Sequence, residues 1–215
     1  VSNNLDLSFL DCSFNQLSSL DVSNMNFMDF WCNDNLLTSL VVDGLYCLLY
    51  FDCSNNLLTS IDFSTAYAGF FFAYNNQLTS LDIRNGLNTS MSDFQVSSNP
   101  NLYCIAVDDP SWSYLNWGGI DPHMSYSSDC SAKTYVPDDN FENYLETHDQ
   151  MSSDLLLGDI TSMGDGIADN DSVYTYRIAN APDLFISSLG ISDLTGIEDF
   201  SSLGTLHCDW NSLST

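Results

Sequence analysis

Positive charge is nearly missing from this sequence. Against 29 Asp and Glu stand 3 Lys and Arg, which gives a formal net charge of −26. Before Ser131 there is no Glu and no Lys, and Arg84 is the single basic side chain. Such a field repels phosphate backbones and anionic bilayers, so nucleic acid is a poor partner, and cations, neutral sugars and basic proteins remain. Solubility of a secreted protein accounts for the same acidity without any partner. Long apolar runs are missing too. None approaches the roughly 20 residues that cross a bilayer, so no membrane span is expected. No signal peptide opens the chain, because Val1 already stands inside a repeated phrase, and the sequence reads as a piece or mature unit of something longer. No Gly-rich phosphate loop follows a strand. His123, His148 and His207 stand in no nucleophile or metal motif, and Glu142 and Glu146, one helical turn apart, read as a solvated face. The chain therefore reads as not an enzyme. A hydrophobic content of 44% places it among folded proteins.

What is present is repetition. Leu10, Cys12, Asn15, Leu17 and Leu20 return as Phe30, Cys32, Asn35, Leu37 and Leu40. They return again as Phe51, Cys53, Asn56, Leu58 and Ile61, and as Phe71, Ala73, Asn76, Leu78 and Leu81. A worn copy holds Phe94, Val96 and Asn99, and a last one Leu206, Cys208, Asn211 and Leu213. The pattern is that of leucine-rich repeats, L-x-x-L-x-[LC]-x-x-N-x-L, with aromatic residues in place of some leucines. Alternation at Leu10, Asp11, Cys12 and Ser13 predicts a short strand with Leu and Cys inward, stacked in parallel on the next copy. Asn15, Asn35, Asn56, Asn76, Asn99 and Asn211 are expected to form a ladder that satisfies buried backbone groups, and a Leu there would cost about 1–3 kcal/mol. Phrases such as Leu20-Asp21-Val22 predict a second extended segment. Repeats this short leave no room for a full helix on the convex side, so it is expected to be irregular. The fold class is a leucine-rich-repeat solenoid.

The seven cysteines are an odd number, so at least one is unpaired. Cys12, Cys32, Cys53 and Cys208 occupy a small inward position and read as packing thiols, since zinc favours close pairs such as C-x-x-C and none exists. Cys47 lies outside that ladder, in the core or a turn. Cys104 and Cys130 fall outside any repeat phase and are expected to form a disulfide, which implies an oxidising compartment. The stretch between them, rich in Pro, Gly, Ser and Trp, is expected to cover the open end of the stack. "YVPDDNFENYLE" then predicts a helix of two to three turns, with Asp139 and Glu142 as a capping box and Phe141, Tyr144 and Leu145 on one face. The expected organisation is an array over 1–99, a cap and linker over 100–133, an N-terminal cap with the short helix over 134–183, and the start of a second block over 184–215.

"LTSLDVS"-type phrases, "NPNLYCIAVDD", "YVPDDNFENYLE" and "GISDLTGIEDF" together resemble the leucine-rich-repeat proteins secreted by Bacteroidota, flavobacteria above all. The resemblance covers nearly the whole chain. It implies export by the type IX system and a place at the cell surface or outside the cell, with adhesion as the role usually proposed. This sequence departs from that family in its load of Phe and Tyr, its near absence of Lys, and the lack of a C-terminal sorting domain.

If Leu10 and Cys12 point inward, their neighbours form outward columns. One column is Phe9, Asp29, Tyr50, Phe70 and Asp93. The next is Asp11, Trp31, Asp52, Phe72 and Gln95, and the third is Ser13, Asn33, Ser54, Tyr74 and Ser97. Trp31, Tyr50, Phe70, Phe72 and Tyr74, with Asp29 and Asp52, are the candidate partner-binding residues. Rings beside carboxylates suit a protein interface or a glycan, and a covering segment is the plain alternative. Asp165, Asp169 and Asp171 around Gly166 give a partial match to a calcium loop, so calcium is the one cofactor with any signal; a solvated acidic turn competes with it. The function expected is a non-catalytic binding or adhesion module displaying that face. The alternative is a structural unit of an extracellular surface fibre, because joining Thr215 to Val1 continues the repeat nearly in phase.

Overall fold

The repeated phrases stack side by side in the order in which they occur. In the computed structural model, which describes residue 4 and residues 6–214, the strands Phe9–Asp11, Asp29–Trp31, Tyr46–Asp52, Tyr67–Phe72 and Asp93–Gln95 pair in that order into one sheet, every pair parallel. The register sets Leu10 opposite Phe30, Phe30 opposite Phe51, Phe51 opposite Phe71 and Phe71 opposite Phe94, which is the register of the repeat. The join of Thr215 to Val1 lies outside the described residues.

The expected second extended segments are also strands. Ser60–Asp62, Ser80–Asp82, Cys104–Ala106 and Ser125–Ser127 form a second parallel sheet, and Ser19–Asp21 pairs with Ser39–Val41. Between the two strand sets lies the core. Phe30, Phe51, Phe71 and Phe94 are fully buried; Phe71 stacks between Phe51 and Phe94 at 5.2 and 5.4 Å, and Phe30 meets Phe51 tilted at 5.6 Å. Such pairs add about 0.5–1.5 kcal/mol each beyond the area they bury. Cys32, Cys53, Ala73 and Val96 fill the next inward position, also fully buried.

Three local devices hold these turns. The ladder asparagine is the first. Asn56 donates through Nδ2 to the carbonyls of Cys32, Cys53 and Ser54 at 3.0–3.1 Å, and its Oδ1 accepts the Leu37 N–H at 2.9 Å. Asn35, Asn76 and Asn99 repeat this bridge to the preceding strand, and Asn211 does so against Ile186, Leu189 and Ile191. Among the described residues Asn15 donates to Cys12 and Ser13 of its own turn. The second device is a left-handed residue before each ladder Asn: Phe14, Asp34, Asn55, Asn75, Ser98 and Trp210, all with φ between 53° and 60°. Asn and Asp tolerate that conformation best. The third is an Asp-x-Ser staple. Asp11, Asp21, Asp52 and Asp62 each accept both the N–H and the hydroxyl of the Ser two residues on, at 2.5–3.0 Å. The repeated acid thus ends a strand as well as carrying charge.

The chain divides into two compact units, Val1–Asp129 and Cys130–Thr215. The division falls inside the segment expected as a linker, so residues 100–129 belong with the array. There, Trp117 stacks on Phe94 at 4.6 Å, and Gly119 makes a parallel bridge to Gln95. A Cβ at Gly119 would clash with the Phe94 carbonyl, so only glycine brings the backbone this close. A helix the sequence reading missed, Pro110–Asn116, starts with Asp109 accepting the Trp112 N–H at 3.0 Å and Pro at the first turn. Cys104 and Cys130 are both disulfide-bonded, and the other five cysteines are free.

In the second unit the expected cap and second block share one core. Val136, Phe141, Leu145, Val173, Ile178, Leu184, Ile186 and Phe200 are buried together. The helix is Asp139–Thr147, but its cap differs from the expected box. Asp138, one residue earlier, accepts the N–H groups of Asn140 and Phe141 at 3.1 Å, and its other oxygen takes Ser192 and Asp193. Glu142 does not reach back; it accepts the Asn170 N–H at 3.1 Å. The reading of Glu142 and Glu146 as a solvated face is likewise corrected. They are 1% and 0% exposed, because residues 164–170 fold over them and use them as acceptors. Strands Lys133–Tyr135 and Ser172–Tyr174 form an antiparallel pair, and Asp183–Phe185 pairs in parallel with Thr205–His207. Among the described residues no helix is long and apolar enough to cross a membrane.

Candidate functional site: an aromatic sheet face

A parallel strand that buries Phe30 and Cys32 must turn Asp29, Trp31 and Asn33 the other way. Stacking in register then lines those residues up about 4.8 Å apart. Phe9 faces Asp29, Trp31 stands between Asp11 and Asp52, Phe72 faces Asp52, and Phe70 stands between Tyr50 and Asp93. The third column follows through backbone bonds from Phe14 to Asn33, Asp34 to Ser54, Asn55 to Tyr74 and Asn75 to Ser97.

The rings lean on one another across the strands. Tyr50 stacks on Phe70 at 4.6 Å and on Phe72 at 6.3 Å, and Phe9 meets Trp31 edge-on at 4.9 Å. Even so they stay in contact with solvent. Phe9, Tyr50 and Tyr74 are 49, 38 and 36% exposed, and Trp31, Phe70 and Phe72 are half-buried. Patches of this kind mark contact sites more often than single exposed apolar residues do.

The strand Tyr46–Asp52 adds a feature the sequence pattern hid. Its register on Tyr67–Phe72 shifts between Cys47 and Tyr50, which leaves Leu48, Leu49 and Tyr50 exposed in succession. Gly69 makes room for this bulge: a Cβ there would lie 2.7 Å from the Leu48 carbonyl oxygen. Tyr46 and Tyr67 form a further stacked pair at 5.2 Å. The signal in the sequence was the glycine in "YAGFFF" opposite the extra residue of "YCLLYFD".

The two acids assigned to this face differ in their use. Asp29 is 7% exposed and its Oδ1 accepts the Tyr50 N–H at 3.2 Å, so it serves the sheet and not a ligand. That assignment is corrected: the extra residue in the next strand leaves an N–H that Asp29 fills. Asp52 is half-buried between the Trp31 and Phe72 positions. Its burial raises the carboxyl above the ordinary range; the Ser54 staple pulls it back, and the charge of Asp34 adds to the rise. Arg84 pairs with Asp82 and Lys133 with Asp165, and His148 Nε2 lies 3.1 Å from Asp154; Asp11, Asp34, Asp52 and Asp93 join none of these pairs.

The acidic loop around Gly166 is arranged otherwise than a calcium loop. Asp165 pairs with Lys133 and accepts the Asn170 amide at 3.0 Å and the Ile167 N–H at 2.9 Å. Burial opposes its ionisation, yet Lys133 and Asn170 hold its carboxyl below the ordinary range. Arg177 donates to the Gly164 carbonyl at 2.7 Å. Two of the chain's 3 basic side chains are thus spent on this loop. Asp169 and Asp171 are exposed, each with φ near 57°. Among the described residues no group of three or more His, Cys, Asp or Glu gathers as a metal ion requires. Beneath the loop, Glu146 accepts the N–H groups of Asp165 and Gly166 at 2.5 and 2.7 Å, and burial raises its carboxyl above the ordinary range.

Among the free thiols Cys32, Cys47 and Cys53 are buried, and Cys12 and Cys208 are half-buried. Burial, with the neighbouring Cys53 and Cys12, raises the Cys32 thiol well above its ordinary range, and burial pushes Cys47 up to about 12. The histidines are placed as packing or surface groups. His148 stacks on Tyr144 at 3.9 Å, His123 lies 5.1 Å from Tyr103, and His207 is exposed against Phe185 at 5.1 Å.

No family model matches this chain, and neither a curated protein nor a solved structure is similar to it.

Proposed function

We propose that this chain is a non-catalytic binding module of a secreted or cell-surface protein, built as a leucine-rich-repeat solenoid of the Bacteroidota type, and that it meets a protein partner through its aromatic sheet face. The register of Leu10, Phe30, Phe51, Phe71 and Phe94 and the asparagine bridges support the solenoid reading. That Cys104 and Cys130 are disulfide-bonded supports an oxidising compartment. The observation that carries the function is the set of rings on one rigid face. Phe9, Tyr50 and Tyr74 keep more than a third of their surface in solvent although they stand among packed strands. A protein partner is favoured over a glycan because Asp29 is committed to the sheet and Asp52 gives its Oδ1 to Ser54, which leaves Asp52 only its Oδ2 for a partner. Sugar hydroxyls would find few free acceptors between the rings, whereas aromatic faces are enriched at protein contacts.

The test compares the chain with a Tyr50→Ser, Phe72→Thr variant on a glycan array and on a panel of immobilised peptides. Ring-dependent capture by peptides supports the proposal. Ring-dependent capture by glycans moves the face to carbohydrate recognition. Identical behaviour of chain and variant on both surfaces refutes the face as a site.

A further inference from the structure

The aromatic face also carries information about the charge of its partner. Val1–Asp129 contains fourteen Asp, no Glu, and Arg84 as its single Lys or Arg. Arg84 is occupied: it forks onto Asp82 at 2.5–3.2 Å and donates to the Ser128 carbonyl at 3.1 Å. On the exposed face, by contrast, acids and rings alternate. The column Asp11, Trp31, Asp52, Phe72 reads acid, ring, acid, ring across successive strands. Asp93 closes the column of Tyr50 and Phe70, and Asp34 sits near enough to Asp52 to raise its carboxyl. None of these four acids has an ion-pair partner among the described residues.

Rings flanked by unpaired carboxylates suit one chemistry above others. A guanidinium or ammonium is attracted to the π face of Trp, Tyr or Phe and donates a charge-assisted hydrogen bond to the adjacent carboxylate. Its aliphatic stem covers apolar ring surface at the same time. We propose that the face formed by Phe9, Asp11, Trp31, Asp52, Phe70 and Phe72 binds an extended, Arg- or Lys-rich segment of a partner protein. This rests on the reading of the aromatic face as a binding surface and specifies its occupant. Spacing adds to charge. Equivalent positions recur every second strand, at about 9.6 Å from the inter-strand distance. A polyproline-type chain advances about 9.3 Å over three residues. A segment with a cation at every third residue therefore meets acid and ring in step along the column.

The experiment measures binding of labelled peptides to the intact chain by fluorescence anisotropy. The probe is an Arg-Pro-Thr repeat, with a Gln-Pro-Thr repeat and a Glu-Pro-Thr repeat as charge controls. Variants Trp31→Thr and Phe72→Thr remove a ring but keep a strand-compatible side chain, and their thermal unfolding is recorded to separate lost binding from lost fold. Asp11→Asn and Asp52→Asn remove charge on the face, and Asp43→Asn removes the same charge from an exposed turn elsewhere. The Arg peptide is expected to bind, and to lose about tenfold or more in affinity with either folded ring variant and with Asp52→Asn. It is expected to change less than twofold with Asp43→Asn. If ring removal leaves Arg-peptide binding unchanged, the attraction is bulk charge and the proposal is overturned. If the Gln peptide binds as tightly and in a ring-dependent way, the face is a binding surface but its occupant is not cationic. If no peptide shows ring dependence, the inference fails here, and the panel of glycans and peptides described above decides the underlying reading separately.

Discussion

Replacing Asn56 with Ala isolates what the asparagine ladder contributes. Asn56 is 6% exposed and links two successive strands. Its loss strands the Leu37 N–H, which has the Asn56 Oδ1 as acceptor. The three carbonyls it serves each keep another donor: Cys32 has Asn35 at 3.1 Å, Cys53 has Asn76 at 3.1 Å, and Ser54 has the Asp34 N–H at 3.1 Å. They are weakened and not abandoned. One orphaned buried N–H costs about 1–3 kcal/mol and the thinning of three shared bonds adds about 0.5 kcal/mol or more, so the whole is about 2–4 kcal/mol. Asn15 carries the same substitution as an internal control. It is exposed, and among the described residues its amide reaches its own turn, where Asn35 already serves Cys12. Asn15→Ala is expected to cost less than about 1 kcal/mol. Urea unfolding followed by far-UV circular dichroism reads the difference. With a slope of about 3 kcal/mol per molar, Asn56→Ala lowers the midpoint by about 1 M and Asn15→Ala by a few tenths. Equal shifts for the two variants would refute the reasoning, because they would mean that bridging to the neighbouring strand contributes nothing.

Cys104 and Cys130 are both disulfide-bonded, and reductant is expected to cost about 2–4 kcal/mol of stability, seen as a lower melting temperature. Gly69→Ala is expected to displace the bulge at Leu48 by 1–3 kcal/mol in stability, about the cost of overpacking, and to shift the Tyr50 ring resonances, since its Cβ meets the Leu48 oxygen at 2.7 Å. Glu146 has a raised carboxyl in the folded state. Its contribution is therefore fully present below the ordinary value of 4.5 and is lost as pH rises through the folded value. Asp165, held low, acts in the opposite sense, so the parent is compared with Glu146→Gln. The stability gap between them is expected to shift in the parent's favour as pH falls from 7 to 4.5, in melts across that range; a gap that shifts the other way contradicts the assignment.

How much of this was legible in the sequence depends on the range of the interaction. The stacked parallel strands and their register follow from a local period, because each copy repeats the same inward pair and the same Asn. The columns of the exposed face follow from that register by alternation alone. What alternation cannot see is an interruption. The extra residue before Tyr50 turned Asp29 from a displayed acid into an acceptor for a backbone N–H, and only the pairing with Tyr67–Phe72 reveals it. The helix cap moved from Asp139 to Asp138 because Ser192 and Asp193, more than fifty residues on, needed the same carboxylate. Glu142 and Glu146 went inside for a similar reason: a distant loop brought N–H groups to them. At the acidic loop the local pattern cannot see that Lys133 comes from a distant strand to pair with Asp165. Two signals were present and overlooked, the Asp-x-Ser staple and the Asp-Pro start of Pro110–Asn116.

The central claim is that the outward face of the five-stranded run from Phe9 to Gln95 is where this chain meets a partner. Chemical-shift mapping of the isotope-labelled chain during titration with the Arg-Pro-Thr peptide tests it most directly. The account expects the largest shifts at Phe9, Trp31, Tyr50, Phe70 and Phe72, with the loop at Asp169 and Asp171 unmoved. Shifts centred on that loop, or spread evenly over every exposed Asp, would contradict it.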